Sequence, residues 1–327
     1  ADILTGGRLQ ADRLDIVAGG SANIDGVTRV EIVNVNNSTA TTGNPAEVTN
    51  LDLGTLTAAQ VDGGRLTVNF NNAGTGDVLN LSGASVAAAL TVNGGAEADT
   101  ITTGAGADLI NGLGGADVIR AGAGVDTVNG GDGADNVRGE LGTDTLNGDA
   151  GNDTLIGDFL FADFATLADY NTAARAGLAG ANNDVINGGV GDDRIIGGFG
   201  GDRLTGGAGA DSFVYQTVED SRFTPTPDGV VDNRDVIVGF VAGEDEIDLL
   251  SLANNPSVTG QTIRFNGNFD DFASAQSAVG GLSGDAFLDV VFVRSNQTLY
   301  VDIDNNGQLD GNDLQIRFEG LVGDLSA

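Results

Sequence analysis

The chain has 327 residues, of which 40% are hydrophobic, and it carries a formal charge of −33 from 47 acidic and 14 basic residues. Cysteine, methionine, histidine and tryptophan are absent, which excludes disulfides, thiolate or imidazole metal sites, and catalytic sites that need histidine. Repulsion among so many carboxylates opposes a compact fold unless cations bind, and it argues against nucleic acids and anionic membranes as partners.

Residues 1–92 contain pairs of apolar residues separated by one residue, an alternation typical of short strands. Gly, Asn, Asp and Thr lie between the pairs, and the spacing of the pairs varies, which favours an irregular β-solenoid. A separate β-sandwich domain is the alternative. The opening stretch ADILTGGRLQ does not resemble a signal peptide, and no apolar run is long enough for a membrane span. The apolar pairs are Leu14/Ile16, Val30/Ile32, Leu51/Leu53, Leu66/Val68, Leu79/Leu81 and Leu90/Val92.

From residue 93 an aspartate recurs at every ninth position, in the pattern GGxGxDxUx, where U is a large apolar residue. The glycine-rich half of each unit favours a tight turn, and the half that contains U favours a very short strand. Three units replace their second glycine, with Leu113, Glu140 and Asp149. The aspartates in this register are Asp99, Asp108, Asp117, Asp126, Asp135, Asp144 and Asp153, and then Asp184, Asp193, Asp202 and Asp211.

A strand of this length buries a core only when units stack, so two turns and two strands should make one flattened coil of about 18 residues. Aspartates two units apart would then lie about 4.8 Å from each other at one edge of the coil, which is unfavourable without a counterion. Carboxylates and glycine carbonyls form an oxygen cage that suits Ca²⁺. The pattern therefore predicts a row of calcium sites, with roughly seven to nine ions.

The repeat is interrupted over residues 157–181, where phenylalanine, leucine and alanine recur at helical spacing. We expect a short amphipathic helix at about 162–176 that packs on the roll. Contact with another copy of the chain is the alternative for this insertion.

The C-terminal part, residues 215–327, should form a β-rich cap, because an uncovered last coil would expose strand edges and core. Within it, DIDNNGQLDGND (302–313) fits a twelve-residue calcium loop between strand-like flanks. Its last position is Asp, whose side chain is shorter than that of the Glu expected at this position. DGVVDNRD (228–235) is a weaker acidic loop that we interpret as solvated surface. The predicted ligands of the first loop are Asp302, Asp304, Asn306, Gln308 through its carbonyl, Asp310 and Asp313.

The nonapeptide run resembles the RTX calcium-binding family. Residues 1–92 are similar to the β-rich segments that precede RTX repeats in surface-layer proteins of Gram-negative bacteria, and DVIVGFVAGEDEIDLLSL (235–252) is similar to the segment that follows the roll in serralysin-type proteases. The resemblance implies a parallel β-roll that binds several Ca²⁺ ions. It also implies export through a type I channel, which reads an uncleaved C-terminal signal, a role with which RFEGLVGDLSA is compatible.

These observations predict an all-β protein with three parts: an irregular β-solenoid (1–92), an RTX β-roll (93–214) and the cap (215–327). We expect an extracellular protein of the bacterial surface that assembles with itself, with a cell-surface polysaccharide as a possible anchor. The alternative is the export and folding module of a larger exoenzyme or adhesin. The acidic pairs Asp192/Asp193 and Asp270/Asp271 come without other signs of a catalytic cleft, so we expect no enzyme.

Overall fold

The computed structural model describes the residue ranges given at the end of this paragraph. The chain forms two compact units, Ala1–Leu155 and Ile156–Ala327, and each is described by itself. The three-part division made from the sequence stays a prediction, and the expected helix at 162–176 lies outside the described residues. The described ranges are 13–17, 20–23, 32–37, 48–52, 65–72, 78–82, 86–158, 182–217, 220–226, 229–249, 262–280, 282, 287–311 and 313–325.

The first unit is built from parallel strands that alternate along the chain between two sheets. One sheet has the order β1-β3-β5-β7-β9-β11-β13, and the other has the order β2-β4-β6-β8-β10-β12. The predicted all-β class with a parallel roll is therefore confirmed. The strands are β1 (Arg13–Val17), β2 (Gly20–Asn23), β3 (Ile32–Asn37), β4 (Val48–Asp52), β5 (Arg65–Asn72), β6 (Val78–Ser82), β7 (Ala89–Asn93), β8 (Thr100–Thr102), β9 (Leu109–Gly114), β10 (Val118–Gly124), β11 (Thr127–Asp132), β12 (Asn136–Gly142), β13 (Thr145–Ala150) and β14 (Thr154–Ile156).

The register of the strands explains the nine-residue period. Val128 pairs with both Ile110 and Leu146, and Ile119 pairs with its counterparts two units away on the other sheet. Successive nonapeptides therefore belong to different sheets, and each coil takes two nonapeptides. The apolar U residues of this unit are all fully buried: Ile101, Ile110, Ile119, Val128, Val137, Leu146 and Leu155.

The turns between strands need a left-handed backbone where the second glycine of the pattern stands. Gly131 has a φ of 114°, and a side chain there would collide with the backbone of the coil before it. Leu113, Glu140 and Asp149, which replace this glycine in their units, adopt φ values of 80°, 73° and 71°. The fold therefore imposes the glycine conformation on three residues that adopt it at a cost.

A row of asparagine side chains runs along one sheet of the first unit. Each amide nitrogen donates to the side-chain oxygen of the preceding coil, at distances of 2.7–2.8 Å. These bonds satisfy half-buried amides and keep the register of neighbouring coils. The row contains Asn69, Asn93, Asn111, Asn129 and Asn147.

The described members of the apolar pairs in the N-terminal segment fall in strands. In the first coils, Leu14 and Ile16 pair with Val33 and Val35, and Ile32 pairs with Arg13. The pair predicted at Val30 and Ile32 therefore stays a prediction. Leu53 and Val30 themselves lie outside the described residues.

The second unit continues with parallel strands and ends in a mixed sheet. Strands β15, β17, β21 and β26 pair in parallel in that order, and β16, β18 and β22 form another parallel set. In the mixed sheet β24-β25-β26 is antiparallel, and β23 pairs in parallel with β24. The elements are β15 (Val185–Val190), β16 (Arg194–Ile196), β17 (Arg203–Ala208), β18 (Ser212–Val214), β19 (Arg222–Thr226), β20 (Gly229–Asn233), β21 (Val236–Val238), β22 (Glu246–Asp248), β23 (Thr262–Phe269), α1 (Phe272–Val279), β24 (Phe287–Val293), β25 (Thr298–Asp302) and β26 (Leu314–Glu319).

Candidate metal centre

The repeat aspartates of the first unit form two ladders, one for each edge of the roll. In each step, the backbone N–H of one aspartate donates to Oδ1 of the aspartate two units later, at 2.7–2.8 Å. The carboxylate is thereby fixed between two coils. One ladder contains Asp99, Asp117, Asp135 and Asp153, and the other contains Asp108, Asp126 and Asp144.

The second unit contains the same ladders and extends them beyond the nonapeptides. The N–H of Asp184 donates to Asp202 at 2.8 Å, and that of Asp193 donates to Asp211 at 3.0 Å. Asp202 in turn donates to Asp235 at 2.9 Å, and Asp211 donates to Asp245 at 3.2 Å. Sequence reasoning missed these two residues, although an apolar residue follows each of them two positions later, as in the repeats.

Burial shields Oδ2, the second oxygen of these carboxylates, from solvent. Every repeat aspartate is at most 3% exposed. Within the described part of the chain, the buried Oδ2 atoms named at the end of this paragraph make no hydrogen bond. A buried carboxylate oxygen without a donor is costly, and a cation is the partner that removes the cost. These atoms belong to Asp108, Asp117, Asp126, Asp135, Asp202, Asp211 and Asp235.

A backbone carbonyl converges on the same space as the Oδ2 atom. A Cβ added at Gly94 would lie 2.6 Å from Asp99 Oδ2 and 2.6 Å from the carbonyl oxygen of Gly112 in the next coil. Gly112 and Gly188 stand in equivalent surroundings, with an aspartate Oδ2 and a next-coil glycine carbonyl as their nearest atoms. The glycines therefore keep open an oxygen-lined cradle between coils. Several oxygens without nitrogen or sulphur ligands fit Ca²⁺.

The electrostatics of the ladders also favour a cation. Burial and, to a lesser extent, the charges of the stacked aspartates raise the pKa of Asp117 and of Asp126 to about 7, although a backbone hydrogen bond to each carboxylate lowers it. Burial likewise raises the pKa of Asp144 and of Asp211 to about 6. The ladders thus resist ionisation when no counterion is bound, and a divalent ion between the coils makes the ionised form favourable.

A separate acidic group lies in the loop between β25 and β26. Ligand oxygens of Asp302, Asp304 and Asp313 all lie within 4.8 Å of one another. Burial raises the pKa of Asp313 to about 8, although the backbone N–H groups of Asp310 and Ile303 donate to its carboxylate at 2.8 and 3.1 Å. The structure therefore brings three of the six predicted ligands together, and the flanks of the loop are strands, as expected.

The other three predicted ligands make contacts within the loop. Asn306 accepts a hydrogen bond from the Gln308 N–H at 2.6 Å and donates one to Asp304 at 2.9 Å, contacts that shape the loop. The Gln308 side chain donates to the carbonyl of Gly307 at 3.3 Å. Asp310 is exposed and does not belong to the group of three carboxylates. Calcium ligation by these residues stays a prediction.

The solvated-surface interpretation of residues 228–235 is wrong for its last residue, because Asp235 is fully buried in the ladder. The repeat aspartates themselves occupy the ladder positions that the sequence predicted for them. Which of them bind an ion directly stays a prediction.

A comparison with protein families matches the nonapeptide run. The model of the RTX calcium-binding nonapeptide repeat matches residues 93–128, 129–159 and 178–213, with four copies. No curated protein matches the chain. Among the described residues, no helix has both the length and the apolar character needed to cross a membrane. The matched residues are therefore RTX calcium-binding nonapeptide repeats, and calcium, bound at several sites along them, is the cofactor of this chain.

Proposed function

We propose that this protein is a secreted structural protein of the bacterial cell surface, which folds on binding calcium after export and then assembles with copies of itself into an array or filament. RTX repeats are typical of secreted proteins, and the coarser function, calcium binding, follows from the repeats themselves. In this proposal the chain is not an enzyme, a type I system exports it, and a cell-surface polysaccharide anchors the assembly.

The observation that carries the proposal is the continuity of the roll with the N-terminal coils. Val92 of β7 pairs with Ile110 of β9, and Leu81 of β6 pairs with Ile101 of β8, so the repeats extend two sheets that begin upstream. Every strand described in the first unit belongs to these stacked coils. Coils that stack on one another suit a structural role, and β1 and β2 stand at the ends of their sheets in the described part of the chain.

Calcium supplies the switch between the exported and the assembled form. Extracellular calcium modules bind at about 10⁻⁴–10⁻³ M, far above the free calcium of a cytosol. Because the ladders resist ionisation without a cation, the energy of metal binding becomes energy of folding. The chain would stay unfolded before export and fold outside the cell.

A calcium titration of the EGTA-treated protein tests the proposal, with circular dichroism, light scattering and electron microscopy recorded on the same samples. We expect a cooperative gain of β signal near millimolar calcium, followed by growth into sheets or filaments. Asp126→Asn should shift both transitions to higher calcium. Asp132→Asn, which removes the charge of an exposed aspartate outside the ladders, is the matched control and should shift neither.

The competing function is that of an export and folding module of a larger exoenzyme or adhesin. The pairing of β21 and β22 with the roll strands β17 and β18 favours it, because a dedicated cap is what an autonomous module requires. Folding to a stable monomer that does not grow at any calcium concentration would support this function and contradict self-assembly.

A further inference from the structure

The aspartate ladder continues outside the nonapeptides, at a residue that no repeat pattern includes. Asp235 lies 33 residues after Asp202, yet it makes both contacts of a ladder step: its Oδ1 accepts the Asp202 N–H at 2.9 Å, and the following residue, Val236, donates to the Asp202 carbonyl at 2.7 Å. The family match ends at residue 213. The coil that contains Asp235 therefore has the geometry of the roll but lacks the nonapeptide sequence.

Ser221 ends this ladder. Its hydroxyl oxygen accepts the Asp235 N–H at 2.8 Å, the bond that a further aspartate would accept in the repeats. The same hydroxyl donates to the Gln315 carbonyl at 2.6 Å. Asp235 is thereby held in ladder position from both sides.

Three buried oxygen atoms lie at or beside this last step. Oδ2 of Asp202, Oδ2 of Asp235 and the hydroxyl of Tyr215 have no hydrogen-bond partner among the described residues, and all three residues are at most 2% exposed. Burial raises the pKa of Tyr215, and the next causes are the charge of Asp235, the side-chain hydrogen bond with Asp235 and the charge of Asp202. The hydroxyl therefore lies next to Asp235 and near Asp202, in a geometry that falls short of a full hydrogen bond to either carboxylate.

The end of the other ladder is built differently. Asp245 accepts the Asp211 N–H on Oδ1 at 3.2 Å and the Val241 N–H on Oδ2 at 2.8 Å, so both of its oxygens are used. At the start of the ladder that begins with Asp99 in the first unit, Asp99 Oδ2 likewise accepts the Gly95 N–H at 2.7 Å. Backbone donors thus close these two ladder ends, whereas the end at Asp235 keeps an oxygen open.

We propose that Asp202, Asp235 and Tyr215 bind a calcium ion outside the nonapeptide repeats. Two carboxylate oxygens and a neutral hydroxyl oxygen form a hard ligand set, and the site excludes bulk solvent. In the repeats a next-coil glycine carbonyl faces the aspartate, whereas the three atoms nearest to a Cβ at Gly197 all belong to Asp202, just as those nearest to a Cβ at Gly206 all belong to Asp211. In this proposal the Tyr215 hydroxyl takes the place of that carbonyl at Asp202. The ion fastens β21, and through it β26, to the last nonapeptide coil.

Terbium luminescence and ion counting on the full chain test this site. The chain has three tyrosines and no tryptophan, so emission from bound Tb³⁺ on tyrosine excitation reports ions next to a tyrosine. We expect Tyr215→Phe to remove a large part of this emission. Tyr300→Phe, which changes a tyrosine two residues before the 302–313 loop, is the control and should keep that part.

Ion counting by mass spectrometry on calcium-loaded protein distinguishes the proposed site from its neighbours. Asp235→Asn should bind one calcium ion fewer than the parent chain, and Asp245→Asn, which alters the closed ladder end, should lose none. Unchanged Tb³⁺ emission in Tyr215→Phe would overturn the proposal, even if Asp235→Asn does not fold. A loss of emission in Tyr215→Phe together with a full calcium count in Asp235→Asn would also overturn it, because the emission would then come from a repeat site.

Discussion

Acid should stabilise the calcium-free protein and destabilise the calcium-loaded protein. The reason is the raised pKa of the ladder aspartates, which is about 7 for Asp117 and Asp126 in the folded chain against 3.8 for the unfolded group. Above pH 7 both states are ionised, and the folded state carries the full cost of buried charge. Between the two pKa values the folded state binds a proton that the unfolded state does not, so the stability of the calcium-free fold rises as the pH falls.

The size of the effect follows from the same values. Lowering the pH from 8 to 5 protonates a carboxyl with a pKa of about 7 almost completely and leaves one of 3.8 ionised, a gain of roughly 2.5 kcal/mol for each of the two aspartates. Asp144, with a pKa of about 6, adds roughly 1.5 kcal/mol. With calcium bound the sign reverses, because the ion requires deprotonated ligands and is released as the ladder takes up protons.

Circular dichroism measures both arms from pH 8 to 5. In EGTA, where the chain is unfolded near neutral pH, a protecting osmolyte such as TMAO brings the folding transition into range, and in saturating calcium urea unfolding is followed. Asp126→Asn should reduce the gain in EGTA by roughly 2.5 kcal/mol, since one of the titrating groups is gone. Asp132→Asn should leave the slope unchanged. A calcium-free stability that falls steadily over this range would refute the reasoning, because it would mean that the buried aspartates are stabilised by interactions within the protein alone.

Three further predictions concern single positions. Gly112→Ala should weaken calcium binding at least tenfold in a calcium titration, because its Cβ would occupy the space between Asp117 Oδ2 and the Gly130 carbonyl, whereas at Gly114→Ala the nearest atoms are 3.7 Å away and affinity should be kept. Equal affinities would contradict the cradle. Leu113→Gly should raise thermal stability in calcium by about 0.5–1 kcal/mol, since it relieves a φ of 80°, and Leu141→Gly, where φ is not positive, should lower it. Asp313→Asn should abolish one class of calcium site by isothermal titration, while Asp310→Asn should retain it; loss in both variants would return Asp310 to the ligand set.

The parts of this structure that could be predicted from the sequence are those set by local contacts. The period of nine predicts the roll and its ladders because each unit repeats the same turn and strand, and all the U residues of the first unit are buried as expected. Asp235 and Asp245 were missed because they follow the preceding ladder aspartates by 33 and 34 residues, which breaks the regular count of the repeats. The pairing of Val236 with Arg317 joins segments far apart along the chain, and nothing in either segment specifies the other.

The cap shows the same division between local and distant information. The strand-flanked loop at 302–313 was predicted, since its turn residues and acidic positions are contiguous in the sequence. The participation of Ser221 at the end of a ladder was not, because a lone serine in a hairpin-rich segment carries no signal of its own. It acquires its role only when Gln315 and Asp235 are brought to it.

Because alternate nonapeptides belong to opposite sheets, the roll can change its length only by whole coils of two nonapeptides. One sheet of the first unit presents the asparagine row, while the other presents Arg120 and Arg138 at the equivalent positions. Adding or deleting a single nonapeptide would exchange these two faces for everything downstream and would break the row of amides. Adding or deleting a pair of nonapeptides would change the length by one coil and leave both faces intact. Viable size variants of this protein, whether natural or engineered, should therefore differ by whole pairs of nonapeptides.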